Sequence, residues 1–222
     1  MSEKLFDSWI KKYDQWFETP IGALVKQYER EVLLDLLQPQ AGERILDLGC
    51  GTGIFTDNVL DAGARVTGLD ISLPMVQAAN WKLSKGPFNA LCGDMTALPF
   101  RDKSFDKVYS MTAVEFIEDA AAVVKEMERV ARRGGLLVLA TLNSLSPWAE
   151  RRTEAAKEGH DLFSHVFFRS PDDLRALLPK GCEVRTAVHF EKESDPQAAV
   201  LTEKTSAGAE TGAFLAAAWT RE

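Results

Sequence analysis

Positive charge is in short supply. Lys and Arg total 26 against 33 Asp and Glu, a net charge of -7. That argues against a wide nucleic-acid-binding face and leaves room only for a local basic patch. Cysteine is scarce too. Cys50, Cys92 and Cys182 form an odd, widely spaced set. A disulfide framework or a thiolate zinc cluster needs more cysteines, closer together. Such thiols suit a reducing cytosol, so a cytoplasmic protein is expected. Long apolar runs are missing. The longest, around "LLVLATL", falls far short of the roughly 20 residues of a membrane helix. The opening "MSEKLFDSWIKK" has no continuous apolar stretch, so no signal peptide is expected. Internal repeats and low-complexity tracts are also absent. What is present is an ordinary globular mixture over 222 residues, long enough for one domain with a full core.

The chain changes character near residue 40. Before it, Leu5, Phe6, Trp9, Ile10, Tyr13, Trp16 and Phe17 share one helical stripe, with Lys11, Lys12, Asp14 and Gln15 opposite. Thr19-Pro20 breaks that helix. Ile21, Leu24, Val25, Tyr28 and Val32 then mark a second, ending before Pro39. From Arg44 short strands alternate with helices: "RILDL", "ARVTGLD", "FNALCGD", "FDKVYSM" and "GLLVLATLN". The helix over 118–132 is the clearest between them, with Val123, Val124, Met127, Val130 and Ala131 on one face. This alternation means right-handed βαβ units, and so a Rossmann-like, doubly wound α/β sheet. Ser170-Pro171 opens a later helix, followed by "CEVRTAVHF". Residues 191–211 are polar and strand-poor and read as a long exposed loop. "GAFLAAAW" makes a last strand. Residues 1–40 are thus expected to form a helical cap, and 41–222 a single compact unit.

The chemistry concentrates in "ILDLGCGTG", residues 45–53. Gly49, Gly51 and Gly53 alternate after a strand and before a helix. Glycine removes Cβ and lets a ligand approach the main chain, whose N–H groups are expected to face it. A dinucleotide fingerprint would place its third glycine at 54, where Ile54 stands, and no Gly-Lys-Ser/Thr phosphate loop is present. Asp47 would repel phosphate and attract an ammonium. A ligand with an amino-acid end satisfies both halves. Asp70 ends the second strand, where an acid can accept ribose hydroxyls. Asp94 ends the third, where it can take the exocyclic amine of adenine, with Met95 or Ile71 against the ring. Amino acid, ribose and adenine together describe S-adenosylmethionine. Taken singly, the loop is an ordinary tight junction and each Asp an ordinary helix cap. Their order at three successive strand ends is the signal.

These residues resemble class I S-adenosylmethionine-dependent methyltransferases, the type 11 branch that includes quinone-biosynthesis enzymes. "ILDLGCGTG", "VTGLDISLPMVQAA", "GDMTALPFRDKSFDKVYS" and "RVARRGGLLVLATLN" carry the resemblance across about residues 41–143. "HVFFRSPDDLRALLPKGCEV" is similar to a segment that precedes strand 6. Arg133-Gly134-Gly135 departs from the usual Pro-Gly-Gly and is expected to alter only a helix end. The resemblance implies a seven-stranded, mostly parallel sheet with an antiparallel last strand. It implies that Asp47, Gly49, Gly51 and Gly53 line the methionine end of the cofactor. Asp70 would hold the ribose, with Ile71 and Met75 close by. Asp94 and Met95 would flank adenine, and Ser110-Met111-Thr112 would run under the sulfonium.

The expected activity is methyl transfer to a small-molecule N, O or C nucleophile. "SMTAVEF" after strand 4 is not the Asp/Asn-Pro-Pro-Tyr motif of amino-methylating DNA and glutamine methyltransferases. No nucleic acid, membrane span or metal is expected. His160 and His165 lie five apart with no thiolate near, which is poor metal spacing. Glu115 and His165 are candidate bases for the acceptor's proton; their ordinary readings are a solvated helix-start residue and a surface histidine. "NSLSPWAERR" reads either as a helix capped by Ser146-Pro147 with an exposed basic end, or as an acceptor wall of Trp148 with Arg151 or Arg152 meeting an acidic substrate. The Trp9–Tyr13–Trp16 stripe reads as core packing or as a lid from which Tyr13 reaches the cofactor. Two other functions remain open: a catalytically silent cofactor-binding or scaffolding protein, and a nicotinamide-dependent dehydrogenase.

Overall fold

The computed structural model describes residues 4–7 and 9–222. The side chain of Lys11 lies outside that description, so its expected polar-face position is not assessed. Seven strands form one sheet: β1 (Arg44–Leu48), β2 (Arg65–Asp70), β3 (Phe88–Cys92), β4 (Phe105–Ser110), β5 (Ala131–Leu142), β6 (Glu183–Ala187) and β7 (Phe214–Thr220). The order is β3-β2-β1-β4-β5-β7-β6. All pairs from β3 to β5 are parallel, and β7 runs antiparallel to both neighbours. The expected doubly wound, seven-stranded class is therefore what forms. Chain connections run outward from β1 in one direction and from β4 in the other. The switch point lies between the carboxyl ends of β1 and β4, where open α/β sheets bind ligands.

Helices cover both faces. α1 (Lys4–Asp7), α2 (Ile10–Glu18), α3 (Pro20–Leu37) and α4 (Thr56–Asp61) precede β2. α5 (Leu73–Lys82), α6 (Ala120–Val130), α7 (Pro147–Lys157), α8 (Pro171–Leu177) and α9 (Pro196–Thr205) follow. One core layer packs Leu33 and Leu37 of α3 on Val138, Ala140, Phe214 and Ala216. The other packs Val123 and Met127 of α6 on Leu46, Val108, Leu215 and Ala217. β7 shows the alternation of a strand buried on both sides. Fully burying a leucine contributes about 1.5–3 kcal/mol, so α3 is fixed to the sheet by a stripe of its own.

Three expectations need correction. Residues 191–211 are not a plain loop, because they contain α9. The Asp195 side chain accepts the N–H groups of Gln197 and Ala198, Pro196 opens the helix, and Ala199 is buried. Glu203 then takes the N–H groups of Val188 and His189 at 3.0 and 2.7 Å, which ties α9 to the end of β6. The aromatic stripe of residues 5–17 is split into α1 and α2 rather than one helix. Finally, the helix expected over 118–132 ends at Val130, so Arg133-Gly134-Gly135 lies inside β5. Those residues sit at a register shift between β4 and β5, where a Cβ on Gly135 would stand 2.7 Å from the Asp106 carbonyl oxygen.

Candidate functional site

A cavity opens at the switch point. Its walls include Asp47 and Gly49 from the end of β1, Gly51 from the turn, Asp70 and Ile71 from the end of β2, and Met75 from α5. Asp94 and Met95 after β3 and Met111 after β4 complete the sheet side. Tyr13 of α2 closes it from above. Every residue expected at the cofactor is thus brought together except Ser110, whose buried hydroxyl donates to the Leu48 carbonyl, and Gly53, which also lies outside the wall. A Cβ there would stand 2.6 Å from Leu83 Cδ1, so this glycine serves the packing of the turn on α5.

The turn does not offer its amides in the expected way. Gly49 and Cys50 both donate to the Leu69 carbonyl, at 2.7 and 3.1 Å. Gly51 donates to Asp70 Oδ2 at 2.8 Å, and Gly53 to the Cys50 carbonyl at 2.8 Å. Three of these donors hold the turn against β2, and the fourth, Gly53, closes the turn on itself. What the turn presents is bare main chain. At Gly51, with φ of +52°, a Cβ would meet nothing within 4 Å. At Gly49 it would stand 2.3 Å from Ala113 Cβ. One glycine leaves space at the cavity, and the other permits close packing behind it.

The acids differ in state. Asp47 is buried, and its Oδ2 accepts from Thr56 Oγ1 at 2.6 Å and from the Tyr109 hydroxyl at 2.7 Å. Burial pushes its carboxyl up to about 6, against the pull of those two bonds. Asp70 is also raised by burial, opposed by backbone N–H groups of Ser72, Gly51 and Ile71. Its Oδ1 accepts from Ser72 N at 2.9 Å. Four lone-pair sites less the bonds to Gly51 and Ser72 leave acceptor capacity on Asp70. Asp94 is exposed and takes the Thr96 N–H and hydroxyl on Oδ1, an Asx turn rather than a helix cap.

A second chamber of about 480 Å³ lies beside the first. Trp9, Tyr13, Thr112, Phe116 and Leu162 line both. Thr112 sits at the junction with φ of +45°, strained backbone for a β-branched residue. The Tyr13 hydroxyl stands beside its side chain, and burial raises that phenol. Glu115 faces this second chamber, so its ordinary reading as a solvated residue is wrong. It is 1% exposed on a short 3₁₀ turn, Val114–Phe116, and its Oε2 has no hydrogen-bond partner. Burial raises it to about 7, while Arg152 and Arg169 pull it back. Thr141 lies close but makes no aligned bond to it. Glu29 of α3, which no sequence signal marked, also lines the chamber; burial pushes it up to about 8. His165 is exposed and lines neither cavity, so it is no candidate base. His160 is in the wall instead, stacked on Phe163 at 4.2 Å.

"NSLSPWAERR" forms the helix cap of its first reading, but its basic end is only partly exposed, because Arg152 is turned into the chamber wall while Arg151 stays exposed. Ser146 caps α7, and Trp148 and Arg152 enter the chamber wall. Trp148 is fixed by its indole N–H, which donates to the Phe190 carbonyl at 2.6 Å. Among the described residues no cluster of His, Cys, Asp and Glu could hold a metal, and no helix is long and apolar enough to cross a membrane.

Comparison with known proteins finds similarity to methyltransferases. Residues 46–139 match the family described as "Methyltransferase domain". A demethylmenaquinone methyltransferase of Beutenbergia cavernae is 37% identical over 145 residues, which is 65% of this chain and 59% of that protein. A malonyl-[acyl-carrier protein] O-methyltransferase of Pseudescherichia vulneris is 40% identical over 114 residues, 50% of this chain and 45% of that protein. The chain spans about half the length of these two curated relatives. A possible histamine N-methyltransferase from Thermotoga maritima, solved as a crystal structure, superposes with a TM-score of 0.71 over 98% of both chains. At 22% identity it speaks for the fold alone.

Proposed function

We propose that this protein is an S-adenosylmethionine-dependent methyltransferase acting on a small-molecule acceptor; the match of residues 46–139 to the methyltransferase-domain family and the doubly wound, Rossmann-like sheet support that reading. The observation that carries the reading is the cavity at the switch point, where Asp47, Gly51, Asp70 and Asp94 meet. Its donor set suits the cofactor part by part. Asp70 retains acceptor capacity for ribose hydroxyls, and Ile71 and Met75 supply apolar walls beside it. Asp94 keeps Oδ2 for the exocyclic amine of adenine, with Met95 against the ring. Asp47, which makes no bond through Oδ1 among the described residues, meets the ammonium. The open space over Gly51 is where the amino-acid end approaches the chain.

Bound there, the cofactor supplies a methyl group already activated on a sulfonium. The protein's part is alignment and exclusion of water. Tyr13, Thr112 and Met111 border the junction of the two cavities, and the second chamber holds the acceptor. Its volume is within the roughly 300–1,000 Å³ of ordinary ligand pockets. Glu115 is the group positioned to take a proton from an O–H, N–H or acidic C–H acceptor. Residues 1–40 act as a cap on the 41–222 domain, with α1 and α2 as its mobile part.

The test is incubation with S-adenosylmethionine and fractionated metabolite pools. The expected result is a mass gain of one methyl in an acceptor together with S-adenosylhomocysteine. Cofactor binding without any product favours a silent binding module. No binding by calorimetry, with nicotinamide nucleotides bound instead, would favour a dehydrogenase.

A further inference from the structure

The second chamber contains one guanidinium that makes no side-chain hydrogen bond or ion pair among the described residues. Arg152 projects from α7 into its wall. Its Nη1 is buried without a hydrogen-bond partner. It joins no ion pair among the described residues, whereas the adjacent Arg151 donates to Glu193 at 2.7 Å. Two rings hold it in place: its Cζ lies 5.1 Å from the Trp148 centroid and 5.8 Å from that of Phe163. Aromatic faces orient a guanidinium and leave its N–H fork unpaired.

The surroundings bear on what could pair with it. Glu29 and Glu115 face the same chamber, but burial raises both toward neutrality, so near pH 7 they carry less than two full charges. Burial lowers Arg152 as well, yet a guanidinium stays charged at any working pH. Lys12, Arg151 and Lys192 add positive charge to the wall, and Trp9, Trp16 and Phe17 make the rest apolar.

We propose that the acceptor is a carboxylate with an apolar, ring-sized body, and that Arg152 receives the carboxylate. This rests on the methyltransferase reading of the neighbouring cavity. A carboxylate matches the fork with charge-assisted bonds. An ammonium acceptor would find two acids and a ring of aromatics, but would face an unneutralised guanidinium. A dianionic phosphate would bring a second negative charge that the single unpaired fork leaves unmatched.

The test uses the full chain loaded with S-adenosylhomocysteine, titrated at pH 7 by calorimetry with three probes of one shape. These are 2-naphthoate, 2-naphthamide and 2-naphthylmethylamine. Naphthoate is expected to bind about 10- to 150-fold tighter than the amide, the worth of one or more hydrogen bonds to a charged group. Arg152→Met should erase that preference while leaving S-adenosylhomocysteine affinity unchanged. If Arg152→Met does not fold, Arg152→Lys, which keeps the charge without the fork, should reduce the preference, and the wild-type ranking still decides. Tightest binding of the amine, equal binding of all three, or binding of none overturns the proposal. Loading is measured first. Failure of S-adenosylhomocysteine to bind overturns the cofactor reading, whereas loading without a carboxylate preference overturns only this one.

Discussion

Replacing Gly49 and Gly51 separately with alanine separates the two tasks of the turn. Both glycines have positive φ, +73° and +52°, so either alanine carries a left-handed strain of about 1–2 kcal/mol. Beyond that they differ. The Gly49 methyl would stand 2.3 Å from Ala113 Cβ and 3.2 Å from Met95 Cε. Overpacking of that kind costs about 1–3 kcal/mol more. The Gly51 methyl meets no protein atom within 4 Å and enters space assigned to the ligand. A protein of this size loses about 2–4 °C of melting temperature per kcal/mol. Gly49→Ala should therefore melt roughly 4–20 °C lower, and Gly51→Ala roughly 2–8 °C lower. Affinity for S-adenosylhomocysteine should show the reverse ranking, with Gly51→Ala losing about tenfold or more, or 1.4 kcal/mol. Scanning calorimetry and isothermal titration measure the two axes independently. If Gly51→Ala binds the ligand within twofold of wild type, the open space above the turn is not where the ligand sits. If Gly49→Ala is no less stable than Gly51→Ala, the packing argument fails.

Three further outcomes follow from the second chamber and the cap. Glu29 is raised from 4.5 to about 8, so the native state keeps a proton that the unfolded chain releases between those values. Wild-type stability should fall with rising pH across that window by up to about 1.4 kcal/mol per unit. Glu29→Gln should remove this share of the slope, with Glu115, Arg152 and Tyr13 still facing the site; parallel unfolding curves would contradict it. Glu115→Gln should lower kcat by about 10²- to 10⁴-fold with little change in KM, and erase an acid limb near pH 7 in the kcat/KM profile; an unchanged limb removes Glu115 from proton transfer. The switch-point cavity is about 140 Å³, below the roughly 300–1,000 Å³ of ordinary pockets, and Phe6 of α1 and Tyr13 of α2 stand in its wall, so the lid proposal expects α1 and α2 to lift to admit a ligand. Hydrogen exchange should then show protection gained over residues 4–18 on S-adenosylhomocysteine binding, with α3 unaffected, and Tyr13→Ala should slow turnover more than it lowers melting temperature. No ligand-dependent protection, together with a large stability loss, would mean static packing.

The strands and the first cavity were legible because their signals are local. Strand ends at Asp47, Asp70 and Asp94 are points in the sequence, and the sheet's topology alone brings them to one rim. Gly53 was misassigned because a glycine that admits a ligand and one that admits Leu83 look alike in sequence. The amides of the turn were misjudged because their acceptors, Leu69 and Asp70, lie about 20 residues away. α9 had a readable start in Asp195-Pro196, the same cap-and-proline device seen at Ser146-Pro147 and Ser170-Pro171, but average polarity outweighed it. The second chamber had no local signature. Glu29, Glu115 and Arg152 come from three distant elements, and only burial shows that Glu115 is not solvated.

The two cavities also differ in how far the family match reaches into them. Most of the switch-point cavity's wall lies within residues 46–139, the stretch that matches the methyltransferase-domain family, with Phe6, Trp9, Tyr13 and Leu162 outside it. Much of the other chamber does not: Trp16, Glu29, Trp148, Arg152, His160 and Phe163 all lie outside that stretch. Under the proposed reading, in which the second chamber takes the acceptor, the family match therefore says little about which acceptor it takes. For protein engineering this makes Tyr13 and Thr112, which line both cavities, positions to hold fixed while residues that line the second chamber alone are exchanged.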